Sequence, residues 1–388
     1  MQIFNSKSRI IVTCSNRLSP WLEKEIKALG FTPVRVFKTG VELFGTMQDC
    51  IKLNLQLCCA SQVLFSIGEY IANNADDLYK QLIEVEWEKI ITADGYFSIG
   101  SNVNNPSITN SLYANVRVKD AIVDRFRNQT GNRPNSGPEL NKAVIHLYWK
   151  EDNAEIFIDT SGESLSKHGY RKIPGKAPMM ESLAAATILA SNWNCQSAFV
   201  NPMCGSGTIA IEAALMATNR KPGLYRSNYA FMHILGYQEE MYLTEYKILE
   251  QQVKTVPELK IIATDISEDA IYISKINAGI AGVEEMIEFE VCDFQDTPIP
   301  ASNGLLYINP EYGDRLGEEE ALQTTYSLIG DFMKKKCKGY TGYIFTGNLE
   351  LAKKIGLKPS RRIEFFTGKI DCRLFEYELY AGTKRTDK

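Results

Sequence analysis

An apolar strand that runs straight into a glycine turn and an apolar helix is compatible with few folds. The segment Ala198-Phe-Val-Asn-Pro-Met-Cys-Gly-Ser-Gly-Thr208, followed by IAIEAALMA, is built this way. A strand apolar on both faces belongs in a parallel sheet covered by helices. Gly205 and Gly207 permit backbone conformations and a close ligand approach that a side chain would block, and the helix after them turns its first amides toward that ligand. The turn lacks the lysine of a phosphate-gripping P-loop, and its glycines do not follow the GxGxxG spacing of nicotinamide enzymes. A nicotinamide oxidoreductase is therefore disfavoured.

The same strand-to-helix alternation continues through KIIATDISEDAIYISKINAGIAG, IEFEVCDFQDT, GLLYINPEYGDRL and TGYIFTGN. Residues 181–388 thus read as one α/β domain, and polar residues close its strands. Asp265, with Ile266 beside it, can accept the hydroxyls of a nucleoside ribose or can be a surface acid at a strand end. It lies 58 residues beyond Gly207, so an insertion over 222–257 is expected. Asp293 repeats the arrangement one strand later, where it can accept from an adenine amine while Phe294 packs nearby, or can be a turn aspartate. Asn309, Pro310 and Tyr312 carry the most specific chemistry. An exocyclic base amine is a poor nucleophile because its lone pair is delocalised into the ring. An asparagine oxygen and the Pro310 carbonyl can accept its two N–H groups and localise that pair, with Tyr312 stacked on the base.

The N-terminal half mixes short strands and helices. Residues 1–50 read as a small α+β segment, 51–162 as a second α+β unit and 163–180, rich in Ser, Gly, Pro and Lys, as a linker. In SLYANVRVKDAIVDRFRNQ, helical spacing puts Val116, Ala121, Ile122 and Phe126 on a packing face. Arg117, Lys119, Arg125 and Arg127 are left facing solvent, as a plain amphipathic surface or as phosphate contacts. Lys167, His168, Arg171 and Lys172 of the linker can serve in the same way.

With 44% apolar and 23% charged residues the 388-residue chain is neither disordered nor fibrous. Its nine cysteines form no CxxC pair, and with three histidines no metal site is expected. Net charge is −4, yet residues 331–388 hold fourteen Lys and Arg against seven Asp and Glu. No apolar run reaches the roughly 18 to 20 residues of a membrane helix, and residues 1–20 lack a secretory core, so a cytoplasmic location is expected.

Together these motifs resemble the class I S-adenosylmethionine-dependent RNA methyltransferases with an N-terminal THUMP domain, in particular bacterial large-subunit ribosomal RNA guanine-N2 methyltransferases. The resemblance runs along almost the whole chain, through VRVKDAIVDRF, HGYRK, ESLAAA and NPMCGSGTIAIEAA. It implies a Rossmann-like catalytic sheet behind ferredoxin-like and THUMP domains, with ribosomal RNA as partner. It implies S-adenosylmethionine held by Glu181, Ser182, Asn201, Pro202, Met203, Cys204, Gly205, Gly207, Thr208, Asp265, Ile266, Asp293, Phe294 and Asn309. Two positions depart from the family pattern: Asn201 stands where Asp is usual, and Glu311 where NPPY has its second proline. N6-adenine methylation of DNA, or a non-catalytic RNA-binding factor on the same fold, are the alternatives. The sequence specifies neither the nucleotide, nor the number of methyl groups, nor an oligomeric state.

Overall fold

The computed structural model describes residues 3–175, 178–312 and 319–380. Positions 176 and 177 of the expected linker and 313–318, the tail of the YGDRL segment, lie outside the described residues. The chain divides into two units.

The first unit comprises Met1–Cys14, Leu22–Leu165 and Pro222–Gln251. Its strands are β1 (Ser8–Thr13), β2 (Arg35–Phe37), β3 (Gly40–Gly45), β4 (Gln62–Ile71), β5 (Tyr96–Asn104), β6 (Asn135–Ser136), β7 (Ala143–Lys150) and β8 (Asn153–Asp159). They form one sheet in the order β2-β3-β1-β4-β8-β7-β5-β6. Because β4 pairs with β1 on one edge and β8 on the other, the segments 1–50 and 51–162 share a continuous sheet. Residue 50 itself falls inside the helix Met47–Gln56, fixed at its start by a reciprocal capping box between Thr46 and Asp49.

Strands β5 and β7 are parallel, so the chain between them must cross over, and the helix Ser111–Thr130 makes that crossing. Asn110 caps its first turn, and Gly131 ends it in the left-handed conformation at φ 72°. Its buried stripe is Ala114, Val118, Ala121, Ile122 and Phe126. Val116, expected on that face, is instead 45% exposed. Position 116 is two residues from both 114 and 118, on the far side of a 3.6-residue repeat.

The second unit comprises Ser15–Trp21, Ser166–Lys221 and Gln252–Lys388. Its strands are β9 (Ala198–Pro202), β10 (Ile261–Asp265), β11 (Ile287–Val291), β12 (Gly304–Ile308), β13 (Thr341–Thr346), β14 (Arg361–Thr367) and β15 (Ile370–Glu378), in the order β11-β10-β9-β12-β13-β15-β14. The first five are parallel, as the apolar runs predict. The antiparallel hairpin β14–β15, which the sequence reading did not foresee, extends the sheet beyond β13. Chain order reverses on the two sides of β9, whose neighbours are β10 and β12. Ligands of open α/β sheets bind beyond the carboxyl ends of the strands at such a reversal.

The expected insertion is present between the helix Thr208–Ala217 and β10. Its ends meet: the Lys254 amide donates to the Thr218 carbonyl at 2.8 Å and the Asn219 amide to the Gln252 carbonyl at 3.2 Å. Between them, residues 222–251 belong to the first unit, where the helix Glu239–Gln251 packs on the helix Met47–Gln56.

Candidate active site

The carboxyl end of β9 is fastened to its neighbours before the glycine turn begins. Asn201 is fully buried; its amide donates to the Tyr307 carbonyl of β12 at 2.8 Å. The opposite amide orientation would set oxygen against oxygen, so Oδ1 faces away and has no partner among the described residues. Pro202 ends the strand. Met203 then adopts φ 56°, an uncommon conformation for a residue with a side chain and one that clusters at functional sites. The Cys204 amide donates to the Thr264 carbonyl of β10 at 3.0 Å, and burial pushes its thiol up to about 12, so this cysteine packs as a neutral group.

Gly205 donates its N–H to Asp265 Oδ2 at 2.9 Å, and the Ser267 amide donates to Oδ1 at 3.0 Å. Asp265 therefore holds the loop, and each oxygen keeps a further lone pair for a ligand. At Gly207 φ is 77°, and a Cβ there would lie 2.9 Å from Ser274, so the turn requires glycine. Next to Asp265, Ile266 stands 72% exposed, an apolar face offered at the strand end. Asp293 accepts from the Gln295 amide at 2.9 Å and remains partly exposed. Phe294 turns inward instead, its ring edge-on to Phe332 at 5.9 Å in the core. The residue is 8% exposed, and most of its ring packs in the core.

After β12, the Tyr312 hydroxyl donates to Asn309 Oδ1 at 3.2 Å. The loop backbone is braced from two sides. Tyr326 donates to the Glu311 carbonyl at 3.3 Å, and the Asn348 amide to the Tyr312 carbonyl at 3.2 Å. Asn348 also caps the helix Leu349–Lys354, accepting from the Glu350 and Leu351 amides. The Glu311 side chain is exposed. Neither brace was read from the sequence, and the only trace of them is the Thr-Gly-Asn that closes β13.

Glu181 and Ser182 begin the helix Glu181–Ala190 and are 2% and 1% exposed. Ser182 Oγ is buried without a partner among the described residues. Glu181 accepts from Arg171 at 2.7 Å; burial raises its carboxyl above the ordinary range while the Arg171 charge opposes this. The same guanidinium donates to the Met179 carbonyl at 2.7 Å and to Thr208 Oγ1 at 3.4 Å. It thereby cross-links the starts of two helices.

Three of the eight expected RNA contacts sit differently from the solvent-facing groups imagined. Arg171 is the cross-link just described, its side chain 10% exposed. His168 is buried, with Nδ1 2.7 Å from Glu212 Oε1, which also accepts from the Tyr170 hydroxyl at 2.8 Å. Glu212 sits in an otherwise apolar helix, and a buried carboxylate needs such donors. Arg125 is 15% exposed and bonded twice to Glu88 at 2.7 and 3.2 Å. Arg117 lies against Asp76 at 2.7 Å and over the Tyr79 ring at 4.2 Å. Lys119 pairs with Asp120 at 2.9 Å and Arg127 with Asp124 at 3.3 Å, and Lys167 and Lys172 are exposed.

Comparison with known proteins bears on the family and the fold. Residues 168–376 match the family described as RMKL-like, methyltransferase domain. Residues 9–64 match the RlmL ferredoxin-like domain and 72–159 the THUMP domain. The chain is 34% identical over 383 residues to the ribosomal RNA large subunit methyltransferase K/L of Syntrophotalea carbinolica, covering 96% of this chain and 53% of that protein. It thus spans about half the length of the K/L relatives it matches. A Synechocystis protein named as an RNA methyltransferase is 30% identical, over 95% of this chain and 96% of its own length. Among solved structures, SMU.472, named as a methyltransferase and complexed with SAH, superposes with a TM-score of 0.88 at 26% identity, over 98% of this chain and 100% of that one.

Proposed function

Because the chain belongs to the RMKL-like methyltransferase family, we propose that it transfers a methyl group from S-adenosylmethionine to an exocyclic base amine of RNA, guanine N2 of large-subunit ribosomal RNA. The observation that carries this reading is the set of loops that end β9, β10, β11 and β12 at the chain-order reversal, each with a suited polar group. The residues fit the cofactor. Ser182 Oγ and Asn201 Oδ1 are buried acceptors without partners among the described residues, Asp265 retains lone pairs for ribose hydroxyls, and Ile266 offers an apolar face. When bound, the cofactor supplies an electrophilic methyl group. Asn309 Oδ1 and the Pro310 carbonyl accept the two amine N–H groups and aim the nitrogen lone pair, while Tyr312 supports the flipped base. No titrating base is needed during attack, because the nitrogen becomes acidic only once methylated and then loses its extra proton to solvent.

Glu311 does not weaken the reading. A proline there would fix one φ angle. The bonds from Tyr326 and Asn348 to the loop carbonyls hold the same backbone by another means. In this division of labour residues 51–162 capture structured RNA, and the second unit, with 166–180 of the expected linker belonging to it and 222–251 outside it, carries out the chemistry in the cytoplasm. Within the RNA-binding set, Lys119, Arg127, Lys167 and Lys172 are the groups exposed enough to meet phosphates.

The test is mass spectrometry of ribosomal RNA nucleosides with and without the gene, paired with label transfer in vitro to ribosomal RNA and to duplex DNA. Loss of one N2-methylguanosine and transfer to RNA are expected. Unchanged methylguanosine, or transfer to DNA adenine alone, would overturn the proposal.

A further inference from the structure

A cleft of about 690 Å³ opens in the second unit between the helix Leu349–Lys354 and one face of β14 and β15. Its cationic lining is Lys353, Lys358, Arg362 and Arg373, against two carboxylates, Glu350 and Glu364. Both carboxylates are already engaged: Lys353 holds Glu350 at 2.7 Å, and Arg373 lies 3.3 Å from Glu364. Lys358 and Arg362 are exposed and form no ion pair among the described residues. The Arg362 guanidinium lies over the Phe375 ring at 5.8 Å. The cleft therefore presents two uncompensated cations above an apolar floor, in a chain whose net charge is negative.

Its position gives the charge a use. Asn348 caps the helix that forms one wall and also donates to the Tyr312 carbonyl of the loop that carries Asn309. One end of the cleft is thus bonded to the loop proposed to receive the base. We propose that this cleft holds the phosphate backbone of the substrate RNA on one flank of the target nucleotide. The inference rests on the RNA methyltransferase reading and adds a second phosphate surface, on the catalytic unit itself. A guanidinium over an aromatic ring and a mobile ammonium suit phosphate and sugar contact, which positions a strand without reading its sequence. Once the flanking backbone is fixed here, the base is delivered at a set distance from Asn309.

The test compares the full chain with Lys358→Glu/Arg362→Glu and with Lys358→Gln/Arg362→Gln. A transcribed large-subunit ribosomal RNA fragment is the probe. Each phosphate contact contributes about 0.7 to 0.9 to the salt slope of binding. The glutamate pair should lower RNA affinity about tenfold or more near 0.1 M salt and flatten the slope by about 1.5. The glutamine pair should give the same slope change with a smaller loss. S-Adenosylmethionine affinity should be unchanged in both, and it also reports folding. RNA affinity and salt slope equal to wild type, with cofactor binding intact, would overturn the cleft and leave the methyltransferase reading standing. Failure of the wild type to bind or methylate the fragment would overturn that reading, and the cleft with it.

Discussion

Asn309 Oδ1 has two lone pairs, and the Tyr312 hydroxyl occupies one of them at 3.2 Å. In the proposed reaction the other would accept from the base amine, with Tyr312 orienting the acceptor. These roles separate by substitution. Asn309→Ala should cut single-turnover methylation by roughly 100- to 1000-fold with little change in cofactor affinity. Tyr312→Phe keeps the ring and should slow turnover only about 2- to 12-fold, the net worth of one hydrogen bond. Equal losses in the two variants would mean that the hydroxyl, not the amide oxygen, carries the step.

A second residue reports on the other unit. Asp159 is fully buried on β8, where Gln62, Ser161 and Gly162 donate to it; burial, the largest influence, pushes its carboxyl up to about 6 from 3.8 despite those donors. A carboxyl raised on folding stabilises fully below its unfolded value of 3.8, and the benefit is lost as pH rises through about 6. Denaturant unfolding of wild type should therefore lose about 3 kcal/mol over that window relative to Asp159→Asn, whose amide does not titrate. The Gln62 amide can rotate to accept from the new donor. Parallel pH profiles for the two proteins would show that Asp159 is ionised without penalty.

At the scale of elements, the linker and the helices it touches act together. Arg171 joins Glu181, Thr208 and the Met179 carbonyl, so it fixes the starts of the helices Glu181–Ala190 and Thr208–Ala217 on the cofactor side. Removing it leaves Glu181 buried without its counter-charge. Arg171→Gln should destabilise the protein by about 3 kcal/mol and weaken S-adenosylmethionine binding, with RNA affinity measured on the folded protein nearly unchanged. The contrasting result, intact cofactor binding with weakened RNA binding, would restore Arg171 to the phosphate contacts. The basic helix Ser111–Thr130 follows the same logic. Arg125, twice bonded to Glu88, serves stability, whereas Arg127, 53% exposed and held only by a surface pair with Asp124, can exchange that partner for a phosphate.

For the whole molecule, the division into units does not follow chain order. Residues 222–251 leave the second unit between Thr218 and Lys254 and join the first, where Tyr229, Phe231, Ile234 and Leu249 are buried. A fragment of residues 166–388 would expose that apolar surface. It also lacks Trp21 and Arg17, which lie against Phe365 and Phe366. The fragment should aggregate and bind ANS. Replacing 222–251 by a short Gly-Ser link should raise solubility, since the flanking ends already meet at 2.8 Å, with the remaining deficit due to the missing 15–21. Equal solubility with and without the excision would show that the segment folds by itself.

The sequence alone determined the parallel core and the site loops, because both are local. Apolar runs such as Ala198–Val200 and Leu305–Ile308 specify buried strands, and a glycine or polar residue at a strand's end must lie at the sheet edge wherever that strand sits. The strand-end positions of Asn201, Asp265, Asp293 and Asn309 were legible for that reason, as was the insertion, from spacing alone. What only the tertiary structure decided depends on partners distant in the chain. Phe294 could pack on a ligand or on Phe332, and strand periodicity does not distinguish the two. The charges of Arg171 and Arg125 read as surface cations until Glu181 and Glu88 are placed beside them. The β14–β15 hairpin was not legible because Arg361, Arg362, Glu364, Arg373 and Glu376 interrupt its apolar residues, and it becomes a strand pair where β13 offers an edge to the largely buried β15. A residue's own chemistry fixes what it can bond, but desolvation and the fold's long-range contacts fix which bond it makes.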